Sequence, residues 1–159
     1  MAPQLQDRPD VAVFSEIGII EHRMRRSVTD HLPPGMTYAH FELLAQFTRL
    51  GDGQTPAELA ELTMMTKGAM TNILQKMEAQ GWIIVLADVK DRRKKRVRLA
   101  KAGSEAYGQV LKSMKWKMDA LRGGFTETEF LQALPFLRAL RNFLEDINEQ
   151  PEPAAASYR

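Results

Sequence analysis

Seven of the nine residues from Lys90 to Arg98 are basic, and Lys90, Arg92, Arg93, Lys94 and Lys95 crowd one short polar stretch. Like charges this close repel one another, so the pattern asks for an anionic partner. Just upstream, residues 66–76 carry hydrogen-bonding side chains of modest length. Asn72 and Gln75 suit adenine edges, Lys67 and Lys76 suit guanine or phosphate, and Thr66 and Thr71 suit phosphates or thymine methyls. Gly68 and Ala69 leave room for close approach, and Thr55, at the start of the preceding helix, joins this set. The chemistry offered is noncovalent recognition of a polyanion with base edges. A solvated lysine-rich loop and a plain amphipathic helix with a polar outer face would use the same residue types, so neither stretch is decisive alone.

Other chemistries lack their residues. The chain has no cysteine, which removes disulfides, thiolate metal sites and a thiol redox switch. His22, His31 and His40 lack metal-ligand spacing, so no metal and no cofactor is expected. There is no Gly-rich phosphate loop, nucleophile motif or convergent carboxylate pair, so an enzyme is not expected. The polar start, Met1 to Asp7, has no apolar signal core, and no apolar run approaches the roughly 20 residues of a membrane helix. The expectation is a cytoplasmic protein without a membrane partner. The net charge of +2 conceals a strong asymmetry: residues 64–103 hold 10 basic and 3 acidic side chains, against 5 and 9 in residues 1–63. The positive potential is confined to one quarter of the chain, as on a nucleic-acid face.

The elements that must position these residues follow from periodicity. Residues 1–9 are expected to be loose. Phe14, Ile17, Ile20, Met24 and Val28 then recur at spacings of three and four and predict a helix over about 10–31. Pro33-Pro34-Gly35 stops it, and Thr37 caps a second helix that ends near Gly51. Thr55-Pro56-Ala57-Glu58 is a capping box opening a short helix, about 56–63. Thr66 caps a helix over 67–80, closed by Gly81. Residues 82–86 and 95–99 read as two strands of a hairpin with a cationic tip, in which Asp91 can pair with one arginine. A helix over 101–122 is broken by Gly123-Gly124, and a last helix over 127–148 carries Pro135, which predicts a kink or two segments. Residues 149–159 are expected to be a disordered tail. The fold class is mainly α with a small β-hairpin wing: a winged helix-turn-helix at about 37–100, with N- and C-terminal dimerisation helices at about 10–31 and 101–148.

Taken in order, Thr66-Lys67-Gly68-Ala69-Met70-Thr71-Asn72, then Met77-Glu78-Ala79-Gln80-Gly81-Trp82-Ile83, then Asp91-Arg92-Arg93, and Val97-Arg98-Leu99 with Gly103, resemble the MarR (multiple antibiotic resistance regulator) family over about residues 10–148. The resemblance implies a homodimeric transcriptional regulator, a repressor, that binds a pseudo-palindromic operator in double-stranded DNA. It implies that residues 66–76 read the major groove, that Asp91 braces the wing and that Arg93 enters the minor groove. Three departures stand out: Ala100 where the family has a capping threonine, Val85 where many members have arginine, and Ala87 and Val89 where prolines often flank the wing turn.

The resemblance also implies interleaved first and last helices, with Phe14, Ile17, Leu137, Leu140, Leu144 and Ile147 at the subunit interface. Packing within one subunit is the alternative, but a chain this short cannot easily bury three long apolar helices around so small a module. Many members release DNA on binding a small aromatic or lipophilic effector. His22, Met36, Tyr38, His40, Phe41, Met114 and Trp116 are the candidates for such a cleft, and core packing is the competing reading of each. A winged-helix module for protein or RNA contacts, without sequence-specific duplex reading, is the alternative function.

Overall fold

The structure, a computed structural model, describes residues 8–149. The expectations for residues 1–7 and 150–159 lie outside these. Helix α1 runs Pro9–Thr29, with Pro9 at its first turn, a position where a missing amide costs nothing. It thus starts at the last residue expected to be loose. Helix α2, Tyr38–Leu50, starts at Thr37 in a capping box whose third member is His40. Helix α3, Pro56–Leu62, has the expected Thr55–Glu58 box, and α4, Lys67–Ala79, has Thr66 as its cap. The turn between α3 and α4 passes through Met64 at φ 53, a left-handed conformation that glycine adopts more cheaply.

Strands β1, Ile83–Ala87, and β2, Lys95–Leu99, pair antiparallel with Ile83 opposite Leu99 and Ala87 opposite Lys95. The first strand starts and ends one residue later than its apolar run suggested. Helix α5, Lys101–Ser113, follows β2 directly. Its N-cap, Ala100, makes no side-chain bond, as the missing hydroxyl requires.

The long helix expected over 101–122 is instead two: α5 ends at Met114, and α6 spans Lys115–Gly124. Gly123 and Gly124 sit inside α6, and the chain turns only at Phe125-Thr126. Pro135 lies within α7, Glu127–Glu149, and does not divide it. The described residues form two compact units that part between Met114 and Lys115. In the first, α2, α3, α4, the wing and α5 enclose a core around Leu43, Leu44, Leu59, Met70, Met77, Ile83, Val97 and Val110, each almost fully buried. Gly103 makes the join between wing and α5: a Cβ there would overlap the Trp82 carbonyl oxygen, which cannot move aside as a flexible side chain could. In the second unit, α6 and α7 contain no buried residue among those described.

Candidate nucleic-acid interface

Helix α4 turns Met70, Leu74 and Met77 into the core. Its 3.6-residue period therefore puts Lys67, Gly68, Thr71, Asn72, Gln75 and Lys76 outside, and all are exposed, as are Thr66 and Ala69. Two of these side chains have local tasks. Thr66 Oγ1 accepts from Ala69 N–H at 3.2 Å, and Thr71 Oγ1 donates to the Lys67 carbonyl at 2.8 Å. Asn72 and Gln75 make no side-chain hydrogen bond among the described residues, so their donors and acceptors are available. Nothing lies within 4 Å of a Cβ built at Gly68. Thr55 is committed to α3: its hydroxyl accepts from Glu58 N–H at 3.2 Å, and its own N–H donates to Glu58 at 2.7 Å.

The wing is tied down by a network that sequence reasoning missed. Asp88, not Asp91, is the brace. Its carboxylate accepts from Lys90 N–H at 2.8 Å, from Asp91 N–H at 2.9 Å and from Arg96 Nε at 2.5 Å. Asp91 pairs with no arginine side chain among the described residues; it accepts only from Arg93 N–H, at 3.1 Å. Strand alternation gives the reason. Leu86 stands opposite Arg96, so the next same-face position beyond Leu86 is Asp88, within diagonal reach of Arg96. Asp91 sits at the tip and bonds to its own turn.

Arg96 extends this network to the helices, donating to the Gly53 carbonyl at 3.0 Å and to Glu58 at 3.4 Å. Its guanidinium, followed by the Asp91 and Lys90 amides, holds the Asp88 carboxyl well below the usual carboxylate range. A second tie runs through Asp52, which accepts from Leu99 N–H at 2.6 Å and from Arg98 at 2.9 Å. Partial burial pushes the Asp52 carboxyl up, but these bonds outweigh it and hold it below its ordinary value.

Residues 52–54 line the free edge of β2. Gly53 N–H donates to the Val97 carbonyl at 2.7 Å, and Val97 N–H donates to the Gln54 carbonyl at 2.9 Å. Gly53 does this at φ 101, with the Arg98 guanidinium 3.1 Å from where a Cβ would stand. The positive φ favours glycine there, and an added Cβ would also press on the Arg98 guanidinium.

Arg96 and Arg98 are thus neutralised by structural carboxylates. Lys90, Arg92, Arg93, Lys94 and Lys95 are all exposed, and none has an ion-pair partner among the described residues. The arrangement separates cations that hold the wing from cations that face outward, beside an α4 surface of unused hydrogen-bonding groups.

Within the first unit, the candidates for an effector cleft fall in different places. Met36, His40 and Met114 are buried in the core of the first unit. Tyr38 and Phe41 are half-buried and line a cleft of about 560 Å3 with Met24, Arg49, Leu62 and Tyr107. Tyr107 meets Phe41 at a tilt, with ring centroids 5.2 Å apart. His22 lies elsewhere on α1, in a shallow groove with Ser15, Ile19 and Arg26. Trp116 is exposed on α6, in the second unit, with the Lys117 ammonium over its ring. Among the interface candidates, Phe14, Leu137, Leu144 and Ile147 are exposed and Ile17 and Leu140 are half-buried. Among the described residues no group of three or more His, Cys, Asp or Glu could hold a metal ion, and no helix is long and apolar enough to cross a membrane.

The sequence profile of the MarR family matches residues 35–94, which span α2, α3, α4, β1 and most of the wing loop. No curated protein matches the chain. Among solved structures, it is similar to a MarR transcriptional regulator from Methanosarcina mazei Go1, at 20% identity and a TM-score of 0.72, over 85% of this chain and 97% of that one. The transcriptional regulator BldR from Sulfolobus solfataricus matches at 20% identity and a TM-score of 0.68, over 91% and 99%. A mutant MarR from E. coli, complexed with operator DNA, matches at 21% identity and a TM-score of 0.69, over 87% and 99%. Residues 35–94 thus match the MarR family's profile, and the chain shares the fold of solved MarR-family structures.

Proposed function

We propose that the protein is a homodimeric, sequence-specific DNA-binding transcriptional regulator, acting as a repressor. The observation that carries this reading is the division of the wing's cations. Arg96 and Arg98 are spent on Asp88 and Asp52, whereas five others at the tip make no ion pair among the described residues. On α4, Asn72 and Gln75 are exposed and make no side-chain hydrogen bond among the described residues. In this reading α4 lies in the major groove, with Asn72 and Gln75 on base edges and Lys67 and Lys76 on guanine or phosphate. Arg93 at the wing tip enters the minor groove, where a narrow A-tract concentrates negative potential. The similar E. coli MarR was solved on operator DNA, which supports the same use of the fold here.

A second copy brings a second reading head, so the target is a pseudo-palindrome with half-sites about 34–36 Å apart. The exposed apolar residues of α1 and α7 supply the contact between copies. A small aromatic or lipophilic effector would enter the cleft at Tyr38 and Phe41, within reach of Arg49. Reading chromosomal DNA places the protein in the cytoplasm and calls for no catalytic group.

Selection from a random duplex library tests this reading. Wild-type protein should enrich an inverted repeat, and Asn72→Ala should relax one base pair of each half-site by roughly 1–3 kcal/mol. Enrichment of no duplex sequence, or of single-stranded RNA instead, would overturn it.

A further inference from the structure

His40 is the one buried polar side chain among the described residues, 2% exposed. It stands at the third position of α2 and closes the start of that helix. Thr37 N–H donates to His40 Nδ1 at 3.1 Å, and His40 N–H donates to Thr37 Oγ1 at 3.4 Å. A ring nitrogen that accepts carries no proton, so the neutral ring must hold its proton on Nε2. The same ring meets Trp82 edge-on, with centroids 5.6 Å apart. Trp82 directly precedes β1, and its carbonyl accepts from Ala100 N–H at the entry to α5. One imidazole therefore joins the start of α2 to the root of the wing.

Its surroundings oppose a positive charge. Burial does so most strongly, and Lys76 of α4 adds to it. The start of α2 is itself the positive end of a helix dipole, which also disfavours a cation. From the loop before α2 the Gly35 carbonyl favours the cation, and the β1 root presents the Trp82 ring. The balance holds His40 below the ordinary histidine value.

We propose that His40 is a proton-operated latch: neutral, it closes the α2 cap against the wing root; protonated, it sets a donor against the Thr37 N–H and opens the cap while its charged ring stays against Trp82. The direction follows from linkage. An unfolded histidine binds its proton near pH 6.5, and the folded ring binds only at lower pH. The latch therefore contributes fully above about pH 6.5 and is lost as pH falls toward the folded value. This inference concerns the head itself and holds whatever the head binds.

The chain contains two tryptophans, Trp82 and Trp116, so Trp116→Phe leaves Trp82 as the sole emitter. A cationic imidazole quenches an adjacent indole. Emission of the Trp116→Phe protein should fall reversibly between pH 8 and 5 with a midpoint below about 6.5. Adding His40→Asn, which retains an acceptor for Thr37, should abolish the change. Flat emission in Trp116→Phe, or an unchanged titration with His40→Asn, overturns the latch. If the Asn variant does not fold, imidazole nitrogen NMR of the wild-type chain decides. A neutral Nε2–H ring at pH 7.5 that titrates below the ordinary histidine value of about 6.5 supports the latch. An Nδ1–H ring, or a midpoint at or above about 6.5, contradicts it.

Discussion

Arg93 and Arg96 are three residues apart and have opposite assignments. Arg96 is held by Asp88, Gly53 and Glu58 and makes the wing rigid; Arg93 is exposed and has no side-chain partner among the described residues. The two should separate in experiment. Arg93→Ala should leave the wing folded, weaken binding to all duplexes and lower the salt dependence of binding by about one unit for the lost phosphate contact. Arg96→Ala should free the Asp88 carboxylate and remove hydrogen-exchange protection from the hairpin amides before any DNA is added. Equal exchange profiles for the two variants would refute this division. Asp88 also sets an acid limit. Its carboxyl is depressed by Arg96 and by two amides, so its contribution is present above the unfolded value near 3.9 and is lost as pH falls below it. The Lys90 and Asp91 amide shifts of the folded protein should therefore stay constant as pH falls through about 4, while global stability declines below that pH. Amide shifts that titrate near the ordinary carboxylate value of about 3.9 would mean that the Asp88 bonds do not form. The outward set was legible in sequence because a run of cations broken by a single acid stands out. The brace was not, since it depends on which strand positions share a face, and register is not written in composition.

At the scale of elements, each start signal met its helix. Thr37, Thr55 and Thr66 cap α2, α3 and α4 through local hydrogen bonds, and local chemistry is what a sequence shows best. Stop signals were less reliable. Gly123 and Gly124 continue α6, and the break at Met114 has no glycine or proline to announce it. Pro135 remains inside α7 without ending it. Residues 52–54 went unrecognised as an edge to the wing because three residues carry no periodicity. The uncapped start of α5 gives a quantitative test. Ala100 already has the extended conformation of an N-cap, φ −84 and ψ 159, without a side-chain bond. Ala100→Thr should therefore stabilise the protein by about 1 kcal/mol, a rise of roughly 2–4 °C in Tm at this chain length. A fall in Tm would show that the half-buried site cannot accept the larger side chain.

For the whole molecule, the exposed apolar residues decide the oligomeric state. Phe130, Leu131, Leu134, Phe136, Leu137, Phe143, Leu144 and Ile147 of α7 are all exposed in a single chain, a load that a monomer in water rarely carries. A dimer covers such faces. Leu144→Glu should shift the sedimentation of the protein toward the monomer and weaken duplex binding in step, because two heads on one operator bind with high effective concentration. A monomeric wild type in the same experiment would remove the two-headed reading. The most direct test of the central claim is fluorescence anisotropy on the duplex upstream of the protein's own gene, at two salt concentrations, against a scrambled duplex of the same composition. The account predicts tight binding to the upstream duplex that weakens steeply with salt, and much weaker binding to the scrambled one. Equal affinity for the two duplexes, or no binding at low salt, would contradict it.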